Sequence, residues 1–504
     1  MRSVILARAM LMVLVITGVS AFGAEFRAGA GKSEIQTSPD MLPLEGYTSV
    51  HDQASVRVLI LDDGASRFAI AVVETPSIGE GPISVIKTAL TKVAGVPAEN
   101  AIVFATHSTS APHISAGAPE GGGPGGPGGA QRGGQGGPGG NAAPGGPPQG
   151  GGNAGPGGAP GGPGRQGGPG APGGPGGMFS GPGAALYGKA FEAAVDAAVK
   201  QAAASMQPAR LGFGLGATSI SVNRDIPTPK GWAQGSNSAG YTDRSLPVIR
   251  IEGANGNPVA VLYNPAARSV VMDQSKDNST GGKALSADLS GAAARYIEQW
   301  YGGGTVAFLL MGAAVDQLPV LQADRSVVNR DGTVSLVDLK EPGFTLLDLL
   351  GERLGSEVIQ TSEGIKATAQ PTISVLRKTL KVPSQGRSGS NAQANGPTLS
   401  YTYATGADVD FPVVVMRIGD IAIAGMWPEL ASSLGAEIKA KSPYPNTMLT
   451  TMADGGAKYL VDDQSYDRFT AEARGSGYAR GAADVVVKSI DDLLMQVKQS
   501  STGK

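Results

Sequence analysis

Between Gly117 and about Gly183 the sequence is built from Gly, Pro, Ala, Gln and Asn, as in "GGPGGPGGAQRGGQGGPGG". This run constrains the chain more than any other feature. It offers almost nothing apolar to bury, so it cannot offset the entropy lost on ordering. It has no strict three-residue period, which sets aside a collagen-like helix. The reading is a disordered surface insertion, spanning 117–183, with a tether to a wall or matrix as its functional alternative. Closure entropy grows slowly with loop length, so one fold can carry it. Without the run and the N-terminal segment, roughly 410 residues of ordinary globular composition remain, enough for one large core. The expected organisation is therefore a single domain of 25–116 and 184–504, interrupted by the run.

The first 24 residues read as a secretion signal. Arg2 and Arg8 give a positive end, Ala9 to Val19 is apolar, and Ser20, Ala21, Gly23 and Ala24 are small. Cleavage is expected after Ala21 or Ala24, which predicts a secreted or periplasmic protein. The apolar run is short for a bilayer span. The chain has no cysteine, so disulfides, thiolate metal sites and a cysteine nucleophile are excluded. Its net charge is −2 and only 5% of its residues are aromatic. Neither property suits nucleic acid, which demands a basic face and stacking rings.

Elsewhere strands and helices alternate. "ASVRVLILDD" and "RFAIAVVE" read as paired strands around Asp63-Gly64. "GPISVIKTALTKVAG" has helical apolar spacing, and "NAIVFAT" reads as a short buried strand. A strong helix follows the Gly/Pro run, then "LPVIRIE" and "PVAVLYN" as strands and "SADLSGAAARYIEQWY" as a helix. Later come a helix in "TLLDLLGERLGSEVI", a hairpin in "DFPVVVMRIGDIAIAGMW" and a closing helix in "AADVVVKSIDDLLMQVKQ". The pattern predicts an α/β or layered α+β fold with a largely buried sheet. Polar groups in such folds gather beyond strand ends. Three such corners stand out: Thr106 to His113, Asn264 to Met272, and Gly425 to Leu430. The chain has only three histidines, and two of them, His107 and His113, share the first corner.

Seven segments in order resemble the neutral/alkaline (non-lysosomal) ceramidases, in a short bacterial form. They are "AGAGKSEIQTSPDMLPLEGY", "HDQASVRVLILDDG", "NAIVFATHSTSAP", "ALSADLSGAAARYIE", "FLLMGAAVDQLP", "GDIAIAGMWPEL" and "KYLVDDQSYDRF". The resemblance implies the fold of that family's N-terminal domain, without the C-terminal β-sandwich of its large members. It also implies hydrolysis of the C–N amide bond of an N-acyl lipid, as in sphingolipid metabolism, by an amidohydrolase holding one zinc ion. Carried onto this chain, the expected metal ligands are His107, Glu429 and Tyr459, with Tyr466 as a rival for the last.

The remaining ligand position, after the "VLYNPAA" strand, holds Arg268 where the family has a histidine. A guanidinium stays protonated and has no lone pair for a metal. The second histidine of the family's Thr-His-Thr-His is Thr109, and its Gly-Asp-Val-Ser-Pro serine is absent, leaving Asp316 and Gln317 in "GAAVDQLP". The catalytic candidates are thus His107, His113, Arg268 and Asp316. Two readings of the pocket follow. Either His113 completes a zinc site as ligand or proton shuttle, or Arg268 stands in for the metal and pairs bidentately with Glu429. The first is an enzyme acting on a lipid-like or small-molecule amide. The second is a binding or structural protein using the pocket around Arg268, or a hydrolase that works without zinc, with His107 as acid or base. Peripheral contact with a membrane or cell wall is expected in either.

Each residue also has a structural reading. His107 and Tyr459 serve as strand-end and core groups, Glu429 as a helix-start acid, and Asp288 as a first-turn acid with Ser286 as N-cap. Asp316 ties neighbouring loops together.

Overall fold

The computed structural model describes residues 25–116, 181–368, 371–386 and 396–502. The stretch expected to be a secretion signal, residues 1–24, and all of the Gly/Pro run up to residue 180 lie outside them. Described structure resumes at Gly181, and the next helix starts at Pro182, within the stretch assigned to the run.

Among the described residues, one arrangement occurs three times: two antiparallel strands, a third antiparallel to the second, a helix, and a strand parallel to the third. The first copy runs through Arg27–Glu34, Ser55–Asp62, Arg67–Val73, the helix Glu80–Ala94 and Ala101–Ala105. The second uses Gln207–Ala217, Ser245–Gly253, Pro258–Tyr263, the helix Asp288–Tyr301 and Val306–Leu309. The third uses Ile373–Gly386, Ala404–Ile418, Ile421–Met426, the helix Ser432–Lys441 and Asn446–Thr450. Copies one and two join through Arg27–Glu34 and Gln207–Ala217 into one eight-stranded sheet, and the third forms its own four-stranded sheet.

Period-two alternation decides what each strand face meets. In Ser55–Asp62, Val56, Val58 and Ile60 face four helices, whereas Leu59 and Leu61 face the smaller sheet. In that sheet Val414, Met416, Ile421 and Ile423 meet the larger one. Val413, Val415, Ala422 and Ala424 meet the helices Ser432–Lys441 and Ala482–Thr502. The result is four layers: helices, eight-stranded sheet, four-stranded sheet, helices. The strands buried on both faces read as continuous apolar runs for that reason.

Small residues let the layers approach. A Cβ on Gly31 would lie 2.3 Å from the Ala198 carbonyl oxygen, and one on Gly29 equally close to that of Ala202. The helix Pro182–Ala204 therefore lies directly on the strand Arg27–Glu34. The α/β expectation holds, and the expected hairpins and helices occur where predicted. Several elements were missed: the strands Arg27–Glu34, Gln207–Ala217 and Asn446–Thr450, the helix Ser432–Lys441, the ribbon Asp324–Val328 with Val334–Asp338, and the hairpin Ser221–Thr228 and Gly231–Asn237. The run "TVAFLLMGAAV", whose continuous apolar character reads as one buried strand, is a strand only over Val306–Leu309.

Candidate functional site

The C-terminal ends of the parallel strands carry the candidate residues. His107 lies two residues past Ala101–Ala105, Arg268 follows Pro258–Tyr263, and Glu429 follows Ile421–Met426. The threefold arrangement turns these ends toward one place. The three corners meet.

His107 sits in the left-handed region, with φ 56°, a conformation rare for non-glycine residues and usual only where surrounding structure enforces it. Its neighbours enforce it. The Thr106 amide donates to the Val73 carbonyl and the Ser108 amide to that of Thr75, at 3.1 and 3.2 Å. Thr109 donates to the Ser269 carbonyl, joining the first corner to the second. Trp427 braces the third corner against Gly455 (φ 153°), where a Cβ would collide with the indole.

Arg268 and Glu429 form a buried ion pair, each about 5% exposed at the side chain. Arg268 Nε and Nη2 both donate to Glu429 Oε2, at 2.8 and 2.6 Å. The pairing is thus on one oxygen, not the two-oxygen fork expected from the sequence. Oε1 turns toward His107, whose Nδ1 lies 3.8 Å away and has no hydrogen-bond partner. Burial works against the charge of Arg268, yet the adjacent Glu429 carboxylate holds its pKa above the ordinary arginine value. Burial likewise favours a neutral Glu429, and Arg268, then His107, outweigh it and keep the carboxylate ionised. His107 is pushed the other way, its pKa lowered by burial with Arg268 adding to the effect.

Tyr459 lies between two guanidinium groups, its ring centre 5.4 Å from Arg268 and 5.9 Å from Arg224. Both contacts are within cation–π reach. Its rival Tyr466 belongs to the core behind the smaller sheet, donating to the Tyr478 carbonyl at 2.6 Å. Arg224 comes from the hairpin that sequence reasoning overlooked. It pairs with buried Glu472, and its Nη2 has no hydrogen-bond partner. Next to it, burial, then the neighbouring Glu472, pushes Asp225 up to about 9, against the pull of Arg224. Glu472 stays ionised, because Arg224 outweighs its burial. The signal for this hairpin was the alternation in "SISVNRDIPTPKGWAQG", with a turn at Pro229-Lys230.

Asp316 ties loops, as its structural reading proposed. It accepts from the Ser432 amide at 2.8 Å and hydroxyl at 2.7 Å, and from Asn223 at 3.2 Å. Its backbone carbonyl accepts from Arg224. His113 is held by Glu45: its ring and its amide both bond Glu45 Oε2, at 3.0 and 3.1 Å. Asp288 is more than a first-turn acid. Its carboxylate accepts from the amides of Val271, Met272 and Leu289 and from Ser110. Ser286 is not the N-cap; that position is Ala287. Asp288 thereby fixes the loop that carries Arg268.

Set against a zinc site, these residues fit poorly. Zinc ligands converge on a point about 2.0–2.2 Å from each donor. Glu429 Oε2 is occupied by two guanidinium hydrogens, and a fixed cation stands beside it. Among the described residues, no group of three or more His, Asp and Glu side chains is placed to hold a metal ion.

No family profile matches the sequence, and no curated protein matches it. Solved structures do. The crystal structure of neutral ceramidase from Pseudomonas aeruginosa superposes with a TM-score of 0.61 at 15% identity, covering 95% of this chain and 75% of that one. A ceramidase complexed with C2 gives 0.61 at 16% identity, covering 95% and 76%. This chain has the neutral ceramidase fold. The ceramidase fold accounts for the ordered resemblance of the seven segments and for the meeting of the three corners. At this identity the likeness speaks to the fold.

Proposed function

We propose that this protein is an exported member of the ceramidase fold that receives an N-acyl amide lipid in a pocket organised by Arg268 rather than by zinc, and that it holds this ligand without metal-assisted cleavage. The observation that carries the reading is the double donation of Arg268 to one buried oxygen of Glu429. A ligand position has become a cation, and its carboxylate partner has been retained to neutralise it.

The charges of the pocket support an uncharged ligand. Arg268 is matched by Glu429 and Arg224 by Glu472, while Asp225 is held protonated and His107 neutral. An added charge would be buried without a partner, which is costly. Unpartnered polar atoms remain at His107 Nδ1, Thr109 Oγ1 and Arg224 Nη2. A buried donor or acceptor without a partner carries a desolvation cost that a ligand amide or hydroxyl would relieve. His107 offers one ring nitrogen to such a group, and Arg268 polarises it without supplying a nucleophile.

A second reading is the zinc-dependent amidohydrolase that the resemblance implies, which would take His107, Glu429 and Tyr459 as ligands; the occupied Glu429 Oε2 and the adjacent guanidinium weigh against it.

Metal analysis of purified protein separates the two. The first reading expects substoichiometric zinc and no fatty acid release from an N-acyl sphingoid base, with retention of that lipid by the protein. Arg268→His is expected to raise zinc affinity at least tenfold. Stoichiometric zinc in the wild type, together with fatty acid release, would overturn it.

A further inference from the structure

One buried carboxylate gathers the polar groups of the hairpin Ser221–Thr228 and Gly231–Asn237. It is Glu472, on the short helix Ala471–Gly475. Its Oε1 takes both Arg224 Nε and Gln234 Nε2, the latter at 2.7 Å. Its Oε2 is buried and has no N–H or hydroxyl partner. Asp225, also buried and opposite Gln234 in the hairpin, bonds Glu472 through its side chain. Two carboxylates have no hydrogen to share, so that bond exists only while one of them carries a proton. The charged groups that face Asp225 are Arg224 from its own strand, Glu472 from the helix and Asp316 from the loop after Val306–Leu309. Asp316 is already met by Ser432 and Asn223. One guanidinium therefore serves two buried carboxyl groups, and the count is made even by a proton.

The hairpin is held unevenly along its length. Its root belongs to a three-stranded sheet, where Ser221, Val222 and Asn223 pair with Pro319, Leu318 and Gln317. That pairing stops at Asn223, and the register within the hairpin shifts between Asn223 and Asp225. Beyond this bend the tip is fastened by side chains. Arg224 and Gln234 reach Glu472, and the Arg468 guanidinium lies 4.5 Å from the centre of the Trp232 ring. Gly231 lies against the Thr398 backbone, and Gly235 against Val328 and Ser326. Among these fastenings the Glu472 seam carries the buried ionisable groups. It is also the one beside the candidate site, because Arg224 lies over the Tyr459 ring that Arg268 also meets.

We propose that the tip of this hairpin, Arg224 to Gln234, is a proton-held latch beside the Arg268–Glu429 pair, shut while Asp225 and Glu472 share a proton and released when that proton leaves to solvent. Without it, two buried carboxylates face each other across one guanidinium, and like charges so placed repel strongly. Release takes Arg224 away from Tyr459 and bares the neighbourhood of Arg268. The docked tip holds a proton that an undocked Asp225 has given up, so docking weakens about tenfold for each unit of rising pH between the two ionisations. The latch itself rests on the seam. Its use, to admit or release a ligand, rests on the reading of the Arg268–Glu429 pair as a ligand site.

Amide hydrogen exchange of the full chain from about pH 5.5 to about pH 8 tests it, with the intrinsic exchange rate divided out. In the wild type the opening constant of amides 225–234 is expected to rise about tenfold per pH unit. Asp225→Asn keeps the hydrogen bond to Glu472 and removes the titration, so its opening constant is expected to stay flat. Amides of the strand Ser55–Asp62 are expected to remain far better protected than those of the tip at every pH, because the opening is local. Equal protection of tip and strand would overturn the latch, since only unfolding of the whole molecule would then free the hairpin. So would a flat wild-type profile, or a slope that Asp225→Asn retains. Retention of an N-acyl sphingoid base is read separately: the wild type is expected to release it faster as pH rises, and the asparagine variant is not. A chain that binds no such lipid at any pH sinks the reading of the ligand site, while the exchange slopes still decide the latch.

Discussion

Truncating Arg268 leaves the Glu429 carboxylate buried with its main partner gone, and an uncompensated buried charge is among the costliest single changes a core can suffer. Arg268→Ala is accordingly expected to lower stability by about 3–5 kcal/mol. Removing both partners abolishes the charge problem, so Arg268→Ala with Glu429→Ala is expected to recover a substantial share of that loss. Denaturant midpoints for the two single variants and the double close the cycle. Strictly additive losses would show that the two side chains do not act as a pair. His107 belongs to the same account. Its left-handed backbone and partnerless Nδ1 are local costs that a fold without a use for the site has no reason to keep.

At the scale of elements, the hairpin Ser221–Thr228 and Gly231–Asn237 flanks the Arg268–Glu429 pair by docking on the short helix Ala471–Gly475. The contact is ionic and polar: Arg224 pairs with Glu472, and Gln234 donates to Glu472 at 2.7 Å. Asp225 is part of this seam, and its proton fits it beside an ionised neighbour. A carboxyl whose folded pKa is raised binds a proton that the unfolded chain has released. Its stabilising contribution is full below the ordinary value of 3.8 and is lost as pH rises to about 9. Stability is therefore expected to decline across that window. Asp225→Asn, which still donates a hydrogen bond but does not titrate, is expected to flatten the decline. Denaturant melts of both proteins from about pH 5 to about pH 9 measure it. Parallel curves would place the titration elsewhere.

At the scale of the whole molecule, three copies of one strand-and-helix arrangement build two sheets, and the Gly/Pro run interrupts them between the first and second copies. The exit and re-entry points are close. Ala116 lies 3.8 Å from where a Cβ on Gly188 would be, at the second turn of the helix that begins at Pro182. A linker of about eight residues spans the remaining helical rise of roughly 10 Å. Replacing residues 117–180 with such a Gly/Ser linker is expected to leave the fold intact. It should raise stability by about 2 kcal/mol, since each halving of a flexible loop returns roughly 0.6 kcal/mol of closure entropy. A variant that fails to fold would mean that the run is part of the structure.

The sequence by itself determined the layered α/β class, the places of many of the strands and helices, and the three corners. Apolar periodicity and turn residues act locally and leave their mark in order along the chain. It also named Arg268 and Glu429 as partners, because a guanidinium at an expected ligand position demands a carboxylate. Only the tertiary structure decided that both donors fall on one oxygen, that His113 goes to Glu45, and that Asp288 fastens the Arg268 loop. Arg224 likewise came beside Tyr459 and Arg268 only in three dimensions, from a hairpin more than forty residues before Arg268 in the chain. Contacts between residues so far apart depend on how sheets stack and strand ends converge. No local pattern of residues encodes that distance.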